Sequence, residues 1–153
     1  MRHVVYAIML GIGLVFSSCT AQKKSNIIIE REFLHDAWER FDYVYSDIEI
    51  QSPTTYDLSM DLYFTEEYEY AYFAMDFVVF DANGDPYRAR TYNFGLKDEN
   101  GWKSEQKGGL YHFSLPINKE LLLSDAGSYR MQIENRIPIT PVMGVRKLTL
   151  STK

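Results

Sequence analysis

Between residues 56 and 64 the chain alternates without a break. Tyr56, Leu58, Met60, Leu62 and Phe64 take every second position, and Asp57, Ser59, Asp61 and Tyr63 fill the gaps. Successive side chains of an extended strand point to opposite faces, so this period of two predicts a strand with one buried and one wet face. Nowhere does the sequence sustain a 3.6-residue period. The apolar face of such strands needs a second layer to cover it, which points to sheet packed on sheet.

The remaining segments fit that expectation. Ile27, Ile28 and Ile29 open a first strand; residues 33–41, with Trp38, read as a turn and a second strand; Ile48 and Ile50 flank Glu49 in a short alternating piece ended by Ser52 and Pro53. Residues 68–80 read as one central strand, broken by Asp81-Ala82-Asn83-Gly84-Asp85-Pro86, where Asn-Gly is a strong hairpin signal because both residues tolerate positive φ. Residues 87–94 return as its partner. A second Asn-Gly turn at Asn100 and Gly101 precedes Trp102. Residues 110–115 form a strand that Pro116 closes, and residues 117–123 read as a helical turn or a short strand. Residues 127–134 alternate again, Pro138 and Pro141 bracket a loop, and residues 142–150 form the last strand. Aromatics make up 15% of the chain, with twelve tyrosines, which suits strands. The fold expected over residues 27–153 is a single antiparallel β-sandwich of about seven to nine strands, immunoglobulin-like or jelly-roll-like.

The N-terminus has a different logic. Arg2 and His3 precede an apolar run over residues 4–16, too short for a membrane span, which needs about 20 residues. Ser17 and Ser18 follow, then Cys19, the only cysteine. This order is a lipoprotein signal peptide over residues 1–18. Cys19 is the expected lipidation site, its thiolate attacking the diacylglyceryl donor. Phe16 stands where leucine is usual. Residues 19–26 form a polar tether, and the seven residues after Cys19 reach at most about 25 Å. Cleavage removes Arg2 and no acid, so the formal charge of −5 becomes −6. That balance gives no attraction to nucleic acid, and an acylated Cys19 leaves no thiol for a disulfide, a zinc site or a nucleophile.

Candidate chemistry is sparse. Asp81, Asn83 and Asp85 have the spacing of the first calcium-loop ligands, but Gly84 is fourth where such a loop has its glycine sixth, and Tyr92 stands twelfth in place of an acid, so a hairpin explains them better. His35 and His112 are far apart and without metal-ligand spacing. Glu66-Glu67 and Asp98-Glu99 flank turns, and Gly108-Gly109 precedes a strand rather than a helix. No catalytic residue, metal site or cofactor is expected. The aromatic clusters Tyr68, Tyr70, Tyr72, Phe73 and Tyr87, Tyr92, Phe94 admit two readings, a core or a platform for sugar rings.

The order of these signals resembles the gliding-motility GldH lipoprotein family of Bacteroidota. The resemblance rests on Cys19, Trp38, the run 56–62, Glu67-Tyr68-Glu69-Tyr70, the stretches 92–96 and 100–102, the alternating run 126–133 and the closing Pro141-Val142-Met143-Gly144-Val145. The chain departs in Ile137-Pro138-Ile139-Thr140, which is apolar where members often carry a polar turn. The resemblance implies a non-enzymatic, lipid-anchored accessory or scaffold protein of the gliding machinery and its type IX secretion apparatus. It would be held by acyl chains such as palmitate on Cys19 and partnered by other envelope proteins. Cys19 is followed by lysines rather than by the acidic run of surface-exported lipoproteins, which favours the outer membrane's periplasmic face. The alternative from another class is a glycan-binding sandwich lipoprotein. An exposed aromatic row over a sheet would favour that alternative, and an apolar patch with a polar rim would favour the scaffold.

Overall fold

The computed structural model describes residues 26–153; the signal segment, Cys19 and most of the tether lie outside them. The strands in chain order are β1 (Asn26–Glu32), β2 (Ala37–Trp38), β3 (Val44–Ile50), β4 (Thr54–Phe64), β5 (Tyr72–Phe80), β6 (Pro86–Gly95), β7 (Lys97–Asp98), β8 (Gly101–Trp102), β9 (Gln106–Lys107), β10 (Leu110–Leu123), β11 (Gly127–Asn135), β12 (Val142–Met143) and β13 (Val145–Thr152). One 3-10 turn, Leu34–Asp36, joins β1 to β2. Two antiparallel sheets carry the fold, one of five strands in the order β1-β13-β4-β10-β9 and one of four in the order β3-β11-β5-β6. Short ribbons β2–β12 and β7–β8 flank them. The chain is an all-β sandwich, as the alternation requires.

The core follows from period two on both sheets. Leu58, Met60, Leu62 and Phe64 of β4 are buried, as are Leu148 and Leu150 of β13 and Leu121 and Leu123 of β10. They meet Phe73, Met75, Phe77 and Val79 of β5 and Met131 and Ile133 of β11, all buried. Ser59 departs from the expected wet face, with only 6% of its surface exposed. It stands opposite Ser151 on one side and Pro116 on the other, and the flanking strands cover it. Its hydroxyl lies 3.5 Å from that of Ser151. Ser59→Ala should therefore cost about 0.5–1 kcal/mol, the usual net value of one hydrogen bond, in urea unfolding.

Three strand boundaries differ from expectation. The stretch 68–80 is not one strand: residues 65–71 form a loop and β5 begins at Tyr72. Tyr68 turns under the sheets, fully buried, and its hydroxyl donates to the Tyr72 carbonyl at 2.7 Å. Pro116 does not end its strand, because β10 runs on to Leu123. Beyond Tyr111, β10 pairs with β4 alone, so it is an edge strand and the missing proline donor is tolerated. Bulges at Pro116–Asn118 and Asn118–Leu121, the latter containing Glu120 at φ 59°, absorb the irregular stretch. The last strand is split by Gly144, whose φ is 83°.

The registers define two ends. β1 begins at Asn26 beside Thr152, β4 begins at Thr54 beside Leu123, and β3 ends at Ile50 beside Gly127. Together with the hairpin at 81–85, which the Tyr87 hydroxyl ties to Leu122, these form the base. At the opposite end, the tip, lie the loops 33–43, 65–71, 96–109 and 136–144. The Phe64 and Phe73 rings, 5.9 Å apart, join the two sheets there.

Candidate functional site

Most aromatics that the sequence singles out close the sandwich. Tyr68 and Phe73 are core residues, and burial pushes the Tyr68 phenol well above its ordinary range. Along the free edge of β10, carbonyls lack a strand partner. Tyr92 donates to the Ile117 carbonyl, and Tyr87 donates to the Leu122 carbonyl at 3.1 Å. The Tyr92 hydroxyl thereby satisfies a buried carbonyl that would otherwise be stranded. Burial raises the Tyr92 phenol as well. Phe94 stacks on Tyr92 with ring centroids 5.5 Å apart. Only Tyr70 and Tyr72, in edge contact at 6.4 Å, lie toward the tip surface.

Exposed rings alternate into β3, where Phe41, Tyr43 and Tyr45 take every second position. Tyr45 is exposed, but the Arg130 guanidinium covers it at 4.2 Å while paired through two hydrogen bonds, 2.8 and 3.1 Å, with Asp47. That pairing holds the Asp47 carboxyl below its usual range. Tyr63 has one face stacked on His112 at 4.6 Å. The His112 ring is hydrogen-bonded to Asp61 at 2.8 Å on the outside of the five-stranded sheet. His35 sits alone in the 3-10 turn, so the two histidines are not brought together. Asp81 uses its Oδ1 to accept the backbone N–H groups of Asn83 and Asp85 at 2.9 and 3.0 Å, a side-chain cap on the hairpin. Asp98 caps Asn100 in the same way at 2.8 Å. Glu66 accepts from Tyr111 and raises that phenol, while Glu67 and Glu99 point to solvent. Gly108 and Gly109 make the β9–β10 turn. Among the described residues no group of three or more His, Cys, Asp or Glu is placed to hold a metal ion. Cys19 lies outside those residues.

The feature that sequence reasoning missed is the tip. Trp38, 1% exposed, stacks between Phe33 at 4.6 Å and Phe73 at 5.9 Å and donates its Nε1 proton to the Asp42 carbonyl at 2.8 Å. This anchors the turn 39–42 and drives Phe41 outward at φ 64°, a backbone region unfavourable for a bulky residue. The Phe41 ring packs into no interior; it is 74% exposed. Leu34 at 79%, Ile139 at 61% and Met143 at 40% exposure share this end, with Tyr43 in edge contact with Phe41 at 6.3 Å. The Arg40 N–H donates to Thr140 Oγ1 at 2.8 Å and ties turn 39–42 to loop 136–144. Two shallow clefts result. One, of 300 Å³, includes Phe41, Tyr43, Arg136 and Pro138 in its lining, and the other, of 390 Å³, is lined by Glu67, Glu69, Tyr70, Ile139, Pro141 and Met143. Ion pairs Arg31–Asp42 (3.0 Å) and Arg146–Asp36 rim the surface. The signal in the sequence is apolar residues outside any alternation: Leu34 and Phe41 in the stretch read as a turn and a strand, and Ile139 in the proline-bracketed loop.

Solved structures similar to the chain include a carbohydrate-binding module specific for non-crystalline cellulose, at 13% identity over 81% of this chain and 73% of that one, TM-score 0.42. A family 35 carbohydrate binding module from Clostridium thermocellum is also similar, at 13% identity over 82% and 90%, TM-score 0.36. Likeness at this level says nothing about a ligand. Comparison with curated proteins gave no match. A family model described as GldH lipoprotein matches residues 29–151, from within β1 to within β13 and so across both sheets and the tip loops. With the match spanning the fold end to end, the chain belongs to the GldH lipoprotein family.

Proposed function

We propose that this lipoprotein is a non-catalytic binding part of an envelope assembly, the gliding machinery and its type IX secretion apparatus. Its lipid anchor would lie on Cys19 in the periplasmic leaflet of the outer membrane, and its tip would meet protein partners. Membership of a lipoprotein family implies membrane anchoring. The observation that carries the rest is an apolar surface at the end of the sandwich opposite Asn26, where the tether joins. β4 has eleven residues and spans roughly 35 Å at about 3.3 Å each. A tether of about 25 Å is too short to lift the base that far, so an upright domain cannot turn its tip onto the bilayer that anchors it. The tip faces away, toward other proteins. Anchoring confines it to a thin layer and raises its effective concentration there, so a weak contact suffices. The glycan alternative loses support from Tyr87 and Tyr92, whose hydroxyls are engaged by β10 carbonyls, and from the Arg130 guanidinium over one face of Tyr45.

Phe41→Asp with Ile139→Asp, in a gene-deleted gliding host, should fail to restore spreading or secretion while the protein remains abundant and membrane-bound. Full complementation by this variant would remove the tip from the mechanism. Tight oligosaccharide binding by the purified protein would put the glycan reading in its place.

A further inference from the structure

The cleft beside Met143 has a chemistry that narrows its occupant, given the proposed role of the tip. Its apolar walls are Ile139, Pro141 and Met143, and the Tyr70 ring closes one side. Buried Tyr68 points inward between Glu67 and Glu69, so both carboxylates are turned outward to the cleft rim. The walls meet because Gly144 has no side chain: a Cβ there would lie 2.8 Å from the Glu67 carbonyl carbon. Among the described residues neither Glu67 nor Glu69 has an ion-pair partner. Lys97 lies behind the loop. Its ammonium donates to the Tyr68 carbonyl and sits 4.3 Å over the Trp102 ring, and burial lowers its pKa despite the fields of Glu66 and Glu69.

We infer that this cleft takes a lysine or arginine side chain from an apolar segment of a partner protein. An aliphatic stem would lie on Ile139 and Met143, and its cationic head would reach Glu67, Glu69 and the face of Tyr70. Long basic side chains bury their stems on apolar surface while the head stays polar, and a cation near a tyrosine face gains further attraction. The acidic chain also steers basic segments inward over distance. An anionic bilayer would be repelled by the same carboxylates, and a second copy would bring the same acids against them.

The Met143 methyl group gives a direct readout. The full lipidated chain, labelled with carbon-13 at its methionine methyls and held in neutral detergent micelles, is titrated with a capped leucyl-lysyl-leucyl-arginine peptide. The Met143 signal should shift saturably while those of buried Met60, Met75 and Met131 stay in place. Glu67→Gln with Glu69→Gln should weaken binding at least tenfold, and Glu49→Gln, near the base, should not. A peptide with glutamine in both basic positions should not bind. Equal affinity of the double variant, no shift at Met143, preferential binding of phosphatidylglycerol vesicles through the tip, or a dimer dissolved by tip substitutions would each overturn the inference. In the host, loss of function with Phe41→Asp and Ile139→Asp but not with Glu67→Gln and Glu69→Gln would overturn the basic occupant alone. Full function in both would overturn the tip as well.

Discussion

Gly144→Ala should destabilise the sandwich by about 3–5 kcal/mol and lower its unfolding midpoint by roughly 15 °C. Two penalties combine. At φ 83° an alanine occupies the left-handed region, which costs about 1–2 kcal/mol. Its Cβ would also stand 2.6 Å from the Tyr68 Cα and 2.8 Å from the Glu67 carbonyl carbon, and backbone atoms cannot rotate aside as a side chain can. Relief requires moving loop 65–71, which holds Tyr68 in the core, and would strain the Thr65 N–H to Gly144 carbonyl bond of 2.9 Å. Gly84→Ala is the matched control. Its φ is 82°, yet nothing lies within 4 Å of an added Cβ, so it carries only the conformational cost. Urea unfolding of both variants separates the two terms. A Gly144→Ala loss no larger than that of Gly84→Ala would mean that the close approach is soft.

Cys19→Ala should move the protein wholly from the membrane pellet to the soluble fraction and abolish complementation in a gliding host. Among the described residues no helix is long and apolar enough to cross a membrane, and the chain expected after cleavage is acidic. Each buried methylene of an acyl chain contributes about 0.8 kcal/mol, and stable anchoring takes two chains, so losing both removes essentially all affinity. The sandwich itself should keep its far-ultraviolet circular dichroism, because the contacts of residues 26–153 are made without Cys19. Mass spectrometry of the wild-type protein should find an acylated peptide beginning at Cys19. Retention in the pellet, or full function from the soluble form, would show that anchoring is incidental.

How far the chain could be read from its residues depended on what each signal encodes. The run 56–64 named its own inward face correctly, and the two Asn-Gly turns fell at hairpins, because period and turn chemistry are local. Alternation gives Ser59 its face but not whether neighbouring strands cover it, and here they do. Pro116 does not stop its strand, because a missing donor is harmful only where a partner waits, and β10 has none on that side. Tyr68 lies in an aromatic run that looks extended in sequence, yet it sits in the loop ahead of β5. The tip leaves only apolar residues outside any alternation as its trace in the sequence: Phe41 lies about a hundred residues from Ile139 and Met143, and only the tertiary fold sets the two segments on one surface.

The antiparallel pairing of β1 with β13 has a mechanical meaning for a protein of this placement. β1 starts at the base and β13 starts at the tip, so their N-terminal ends point in opposite directions. A partner gripping Ile139 or Met143, just ahead of β13, would pull against a lipid attached ahead of β1. The load then runs along both strands, and the bonds from Asn26–Thr152 to Glu32–Lys147, which lie across that direction, share it in shear rather than opening one after another. Single-molecule pulling between residues 26 and 143 should meet far more resistance than pulling between residues 26 and 153, where the same ladder unzips from its base. A domain built this way can carry traction between a membrane and a moving partner without being unravelled by it.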